Sequence, residues 1–306
     1  MMENGKVTVR VPATSANCGP GFDCLGLACT LYNEFTYERL PLEQGVQVVS
    51  EGQGSGQLPE GRSNLAAQSY FTLWEKLKQP ETGLKITCRI RVPVSRGLGS
   101  SSTAIVAGLT AANTLAGNPL TKPELVTEAT KIEGHPDNVA PAILGGITVN
   151  VMEDGRVESL KIPLARPLKL VVLVPEMQLP TSRARAALPK EVSHKDAVYN
   201  TSRAALLVGS LMSGDYEFLT TALEDRLHQP YRLPLIPGAK EALEAARKAG
   251  AYNGIISGAG STLMAYVPQD GDPMKVGRAM EEPFKKRNIG TTIHLLDIDA
   301  DGAKVL

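Results

Sequence analysis

The chain has little that would carry it to a large charged or apolar partner. Its 306 residues hold 32 basic and 32 acidic side chains, a formal net charge of +0, so no long-range field draws it to nucleic acid or to an anionic membrane. No window approaches about 18 consecutive apolar residues, and the N-terminus lacks a basic-then-apolar pattern, so a soluble, cytoplasmic protein with no membrane partner is expected. Cysteine is scarce. Cys18, Cys24, Cys29 and Cys88 form no C-x-x-C pair and do not cluster with His135, His194, His228 or His294, which excludes a zinc framework and leaves free thiols. Aromatic residues make up 5% of the chain with one tryptophan, Trp74, so no stacking platform for bases is expected. These exclusions leave a small molecule as the expected partner.

Glycine, by contrast, is plentiful at 29 residues, and its placement is informative. The run Pro93, Val94, Ser95, Arg96, Gly97, Leu98, Gly99, Ser100, Ser101, Ser102, Thr103 joins an alternating strand to a helical pattern. Gly97 and Gly99 permit positive φ and close approach of the backbone to a ligand, while a helix starting at Ser100 leaves several N–H groups without internal partners. Those donors and the positive end of the helix dipole attract an anion. The serine hydroxyls add donors to phosphate oxygens, and one can ligate a magnesium ion riding on them. The spacing fits neither the Walker G-K-[ST] loop nor the dinucleotide G-x-G-x-x-G, so the run is a third kind of phosphate loop or a well-capped turn.

The length favours two domains. Val7, Val9 and Val11 alternate with polar neighbours and stop at Pro12, which predicts a strand followed by a loop from Ala13 to Gly21. Further strands over 25–35 and 46–49, with the period-two face Leu84, Ile86, Cys88, Ile90, Val92, complete an N-terminal sheet. Helices are expected from Ala66 to Leu77 behind a Ser63-Asn64 cap, from Ile105 to Ala116, and after a capping box of Thr121 and Glu124. The break at 163–167 marks a boundary between domains 1–162 and 163–306. Beyond it come a strand at 168–174, helices at 200–212, 216–227 and 239–248, strands at 253–257 and 262–267, a helix at 274–287 and a strand at 291–297. Extra helices aside, this is the β-α-β-β-α-β order of ferredoxin-like domains, and the fold class is α+β.

Four other segments concentrate glycine, polar groups and charge where a packing account is weak. The loop from Pro12 to Asp23 carries Asn17 and Asp23 on its rims. Glu133, Gly134, His135, Pro136, Asp137 and Asn138 put two carboxylates, an imidazole and an amide together; one carboxylate can hold a phosphate-bound magnesium and another can orient or deprotonate an attacking hydroxyl. Thr181 to Arg185 and Asp225 to Arg232 supply guanidinium groups of the kind that grip a small carboxylate by charge-assisted hydrogen bonds. A further run, Gly254 to Thr262, is a glycine turn between strands that serves as a plain hairpin or as a wall of the site.

Pro93 to Thr103 is similar to the phosphate loop of the GHMP kinases, P-x-x-x-G-L-G-S-S, and Gly254 to Thr262 resembles their third, glycine-rich motif. The V-P-A-T-S-A-N-x-G-P-G-F-D segment, the E-G-H-P-D-N-V-A-P run and the T-x-x-x-R-A-x-L-P segment resemble the homoserine kinase branch of that family, over nearly the whole chain. The resemblance implies a ribosomal-S5-like N-terminal domain and a ferredoxin-like C-terminal one, with ATP in their cleft, often in a homodimer. It implies ATP-dependent phosphorylation of the side-chain hydroxyl of L-homoserine for threonine biosynthesis, with another small alcohol such as mevalonate as the alternative acceptor.

Carried onto matching positions, Ser101 and Glu133 would hold Mg2+, with Glu128 as a competitor for the carboxylate role. Residues 93–103 would cradle the triphosphate and Asn64 would contact the nucleoside. Asn17, Asp23 and His135 would face the polar end of the amino acid, with Thr181, Arg185 and Arg232 near its carboxylate, Gly260 beside it, and Asp137 or Asn138 orienting its hydroxyl. One departure is Cys18, where relatives commonly carry leucine. Whether a carboxylate base acts is open, because a loose phosphoryl-transfer transition state lets positioning and charge neutralisation carry most of the effect.

Overall fold

In a computed structural model describing residues 5–306, strand β1 (Lys6–Ala16) runs through Pro12 into the segment expected to be a loop. Its partner β2 (Leu25–Leu40) explains how. The pairing jumps from Pro12 opposite Tyr32 to Ala13 opposite Cys29, so β2 bulges at Thr30 and Leu31 beside the proline. A missing N–H costs little where the ladder is already broken.

Next come β3 (Val46–Gly52), α1 (Leu65–Lys76), β4 (Gly83–Ile90), α2 (Ser100–Leu115), α3 (Lys122–Glu133), α4 (Pro136–Leu144) and the hairpin β5 (Ile147–Glu153) and β6 (Arg156–Ile162). The sheet runs β1-β2-β4-β3, with β5 joined to the start of β2 and β6 to β5. Asn64 starts α1 by accepting the Ala66 N–H at 2.9 Å, and at α3 the Thr121 N–H and hydroxyl both donate to Glu124 at 2.8 and 2.7 Å. Alternate residues Val7, Val9 and Val11 of β1 meet Phe35, Tyr37, Leu84 and Ile86 in one core under α1 to α4.

The second half holds β7 (Lys169–Pro175), α5 (Thr181–Ala186), α6 (His194–Ser213), α7 (Leu219–Ala222), α8 (Gln229–Arg232), α9 (Ala239–Lys248), β8 (Asn253–Ile256), β9 (Leu263–Val267), α10 (Pro273–Lys285), β10 (Thr291–Asp297) and the short β11 (Lys304–Val305). Its antiparallel sheet is ordered β10-β7-β9-β8. The helix expected over 216–227 stops at Ala222. There the Asp225 carboxylate accepts the N–H groups of Leu227, His228 and Gln229 at 2.9, 3.0 and 2.6 Å, a local arrangement that competes with a continuing helix.

Strand β7 is buried on both faces, which is why Leu170 to Val174 reads as an unbroken apolar run. Leu170, Val172 and Val174 share a core with Leu25, Leu27 and Ile147 of the first sheet and with Leu207 and Leu211 of α6. Val171 and Leu173 turn the other way, onto Ala242 of α9 and Val276, Met280 and Phe284 of α10. Each such fully buried aliphatic side chain contributes about 1.5–3 kcal/mol. Past β10 the chain returns to the first sheet: Asp299 donates its N–H to the Ala28 carbonyl at 2.9 Å and β11 pairs with β1. No described helix is long and apolar enough to cross a membrane.

Candidate active site

Both halves of the chain wall a cavity of about 560 Å³. The glycine loop before α2 forms one end. Gly99 is the N-cap of α2 at φ 65°, no side chain caps that helix, and its first backbone bond runs from the Thr103 N–H to the Gly99 carbonyl at 2.9 Å. The N–H groups of Ser100, Ser101 and Ser102 therefore precede any intrahelical partner, and an uncapped helix start of this kind takes an anion.

The loop is held from the second sheet. Ser257 Oγ donates to the Gly97 carbonyl at 2.6 Å, and the Thr262 N–H donates to the Arg96 carbonyl at 3.1 Å. Gly97 sits at φ 83°, and a Cβ there would lie 2.3 Å from the Ser257 carbonyl oxygen, so glycine is required. Gly258, Ala259 and Gly260 make the turn a wall of the cavity. Within 93–103, the cavity is lined by Val94, Ser95, Arg96, Gly97, Gly99, Ser100 and Ser101. Of the expected cradle, Pro93, Leu98, Ser102 and Thr103 do not line the cavity, although the backbone N–H of Ser102 belongs to the uncapped start of α2. Leu98 is buried in the core shared by the sheets, Ser102 donates its hydroxyl to Glu133 Oε1 at 2.9 Å, and Thr103 donates to the Ser100 carbonyl at 2.7 Å while accepting from Asn33 at 2.9 Å.

At the end of α3, Glu133 Oε1 lies 3.5 Å from Ser101 Oγ, and no lysine or arginine among the described residues pairs with it. Glu128 is different. Its carboxylate is held by Lys76 at 2.7 Å and Lys131 at 2.8 Å and does not line the cavity. Of the two candidate metal carboxylates, Glu133 is the one available.

The start of α4 brings His135, Asp137 and Asn138 to the same wall. His135 Nδ1 is 2.5 Å from Asp137 Oδ1, and their metal-type donor atoms and that of Asp23 lie within 4.8 Å of one another. Burial disfavours the His135 imidazolium, but the hydrogen bond to Asp137, with the charges of Asp137, Glu133 and Asp23, outweighs it, so its pKa is raised. Asn138 Oδ1 accepts the Thr14 hydroxyl at 2.8 Å. Thr14 is absent from the sequence-based candidates because Pro12 and the small residues after it predict a loop, whereas the structure places Thr14 in β1.

Asn17 and Asp23 both adopt left-handed backbone conformations, φ 71° and 54°, of a kind that costs roughly 1–2 kcal/mol per residue. Asn17 braces this geometry: its Oδ1 accepts the Asp23 N–H at 3.1 Å and its Nδ2 donates to the Gly258 carbonyl at 3.0 Å. The Asp23 carboxylate pairs with Arg185 at 2.8 and 3.0 Å, where the sequence reading had them facing a ligand from different sides. Asp23 raises the Arg185 pKa in turn, its hydrogen bond prevailing over burial.

Arg232 is buried at 2% exposure, donates from Nη1 to the Gly258 carbonyl at 3.0 Å, and has no carboxylate within 4.0 Å among the described residues. Burial first and Arg185 second lower its pKa to about 10, so it stays cationic at neutral pH. Thr181 and Gly260 also line the cavity. Asn64 lines it as well; its Oδ1 caps α1 and its Nδ2 donates to the Pro59 carbonyl at 2.8 Å. The sequence reading missed the apolar lining by Phe35, Leu58, Leu65, Cys88 and Ile90, since three of these belong to strands whose periodicity reads simply as core.

The site thus combines an anion-binding helix start with a pair of guanidinium groups and an acidic cluster, which suits transfer of a phosphoryl group to an amphoteric small molecule. Residues 64–146 match the family model described as the GHMP kinases N terminal domain, and residues 203–286 match the GHMP kinases C terminal model. A homoserine kinase from Crocosphaera subtropica is 43% identical over 300 residues, covering 98% of this chain and 97% of that protein. The crystal structure of a homoserine kinase from Cytophaga hutchinsonii superposes with a TM-score of 0.92 at 30% identity, covering 100% of this chain and 99% of the other. The L. major mevalonate kinase, solved with R-mevalonate, is alike in fold alone, with a TM-score of 0.69 at 17% identity over 99% of this chain and 97% of that one.

Proposed function

The chain belongs to the GHMP kinases, in their homoserine kinase branch, and on that premise we propose that it transfers the γ-phosphoryl group of ATP to the side-chain hydroxyl of L-homoserine, giving O-phospho-L-homoserine for threonine biosynthesis. One observation carries the reading. Arg232 is buried beside the cavity with no carboxylate among the described residues within 4.0 Å, and a cation kept in that state is a receptor for a ligand's carboxylate.

The triphosphate would lie against the N–H groups of Ser100 to Ser102 at the uncapped start of α2, the nucleoside against the apolar lining around Phe35 and Ile90. The amino acid's carboxylate would meet Arg232 and Arg185, and its ammonium group Asp23. Asp137 and Asn138, at the start of α4, would orient the hydroxyl, with Thr14 fixing the amide of Asn138. Ser101 and Glu133 offer the hard oxygen donors that suit Mg2+, an ion that would neutralise charge on the transferring phosphate. Domains 1–162 and 163–306, a cytoplasmic setting and a homodimer complete the proposal; the two separate sheets and the two family-model matches support the first, with residues 298–306 lent back to the first sheet, and the balanced charge is compatible with a cytoplasmic setting.

The discriminating experiment is ADP release measured with L-homoserine, L-serine, L-threonine and mevalonate. Turnover of L-homoserine well above the others is expected, because a site with buried charged partners penalises an analogue lacking the matching group. Preference for mevalonate would overturn the assignment.

A further inference from the structure

Sequence reasoning passed over His228 as an unremarkable histidine. It is fully buried, at 0% exposure, one residue before α8, and joins two parts of the site that are far apart in sequence. Its Nδ1 lies 3.2 Å from Arg232 Nη1 and its Nε2 lies 2.8 Å from the Gly19 carbonyl oxygen. A guanidinium group can only donate, and a carbonyl can only accept. The network therefore assigns a neutral imidazole with a bare Nδ1 that accepts from Arg232 and an Nε2–H that donates to Gly19.

The surroundings defend that state. Burial comes first in lowering the His228 pKa; Asp225, Gly19 and the more distant Asp23 oppose it, and Arg232 reinforces it. Asp225, whose carboxylate oxygen is 3.6 Å from Nε2, is already engaged by three backbone N–H groups. Protonation would remove the acceptor for Arg232 and set a second cation against it. The loop that His228 holds at Gly19 is the one that carries Asp23, and Asn200 holds the same loop by donating to the Pro20 carbonyl at 2.8 Å. Phe22 of this loop packs its ring 5.4 Å from the imidazole and lies under both Arg232 and Arg185, at 5.3 and 5.6 Å.

We propose that His228 is a positioning residue which, as a neutral Nε2–H tautomer, fixes the direction of the Arg232 guanidinium relative to the Asp23 loop and so sets affinity for the amino-acid substrate without serving the nucleotide. The inference rests on the kinase reading above. Its mechanism predicts different effects for two replacements. In His228→Asn the amide oxygen stands near the position of Nδ1 and keeps the Arg232 contact; in His228→Leu both contacts are lost.

The experiment is steady-state kinetics on the full chain with L-homoserine and ATP varied in turn. For His228→Leu the KM for L-homoserine is expected to rise about tenfold or more, with KM for ATP and kcat within about twofold, and His228→Asn is expected to restore most of the loss. Parallel changes in both KM values, an unchanged KM for L-homoserine, or an Asn variant no better than Leu would overturn the inference. If His228→Leu fails to fold, His228→Asn and His228→Gln carry the test, since Gln reaches Gly19 and abandons Arg232: a KM for L-homoserine lower in Asn than in Gln supports the proposal and the reverse order overturns it. The wild-type protein in the same assay tests the kinase reading separately, and absence of its turnover on L-homoserine would overturn both.

Discussion

Asp23 and Arg185 grip each other through two parallel hydrogen bonds of 2.8 and 3.0 Å, with about a third of each side chain exposed. An internal pair of this kind is complementary to itself in the way that a zwitterion is complementary to it. An incoming amino acid can offer its ammonium to the aspartate and its carboxylate to the arginine, so one partly solvated ion pair is exchanged for two. Exposure keeps the exchange cheap, because solvent-exposed ion pairs are worth at most about 1 kcal/mol.

From that exchange it follows that Arg185→Met should weaken the amino acid and spare the nucleotide. A charge-assisted hydrogen bond is worth roughly 1.5–3 kcal/mol, so the KM for L-homoserine should rise about tenfold to a hundredfold, with KM for ATP unchanged. Initial-rate kinetics with each substrate varied would check this. Equal loss toward both substrates would mean that Arg185 does not face the acceptor.

Among the described residues Glu133 has no basic partner, so replacing it removes no ion pair. Glu133→Gln should leave the melting temperature close to wild type while raising the magnesium concentration needed for half-maximal rate, roughly 10- to 100-fold. Ser101→Ala should act in the same direction and lower kcat. A magnesium titration at fixed ATP reads both variants, and wild-type curves would refute the ligand assignment.

Gly97→Ala tests the fit between the phosphate loop and the turn of the second sheet. The added Cβ would meet the Ser257 carbonyl oxygen at 2.3 Å, at a φ of 83° that an alanine resists. Backbone must move, and a loss of about 2 kcal/mol or more in stability is expected, with ATP affinity falling alongside. Denaturant unfolding and nucleotide titration would measure the two effects, and an unperturbed protein would mean that the loop is looser than its hydrogen bonds imply.

Asp225→Ala leaves three N–H groups without their acceptor, at Leu227, His228 and Gln229. A cost of about 2–5 kcal/mol is expected in chemical denaturation, with Asp225→Asn recovering part of it. Equal stability of the alanine variant and the wild type would show that water replaces the carboxylate there.

Much of this was legible beforehand because the governing forces are local. The capping box at Thr121 and Glu124, the bounds of α9 and β10, and the glycine loop before α2 all depend on residues near one another in sequence. The site was read as far as residue type and motif allow, and most of the named residues meet at one cavity. The rest depends on pairings made at long range. The bulge that lets β1 pass Pro12 is visible only once β2 is in register, and β6, the second strand of the hairpin that follows Gly145-Gly146, is too exposed to stand out. Thr14 and His228 were missed because each acts through a partner more than 100 residues away, Thr14 on Asn138 and His228 on Gly19. The inward turn of Ser102 and Thr103 follows from helical geometry, which puts successive hydroxyls of α2 on different faces.

The middle hydrophobic core, with Leu25, Leu27 and Ile147 on one side and Leu170, Val172 and Tyr266 on the other, joins the fates of the two sheets. Each half shares that interior with the other, and the crossing of residues 298–306 back onto β1 takes one edge strand away from any fragment cut near residue 165. Calorimetry should therefore record one heat-absorption peak, and a nicked chain should keep its pieces together until both melt.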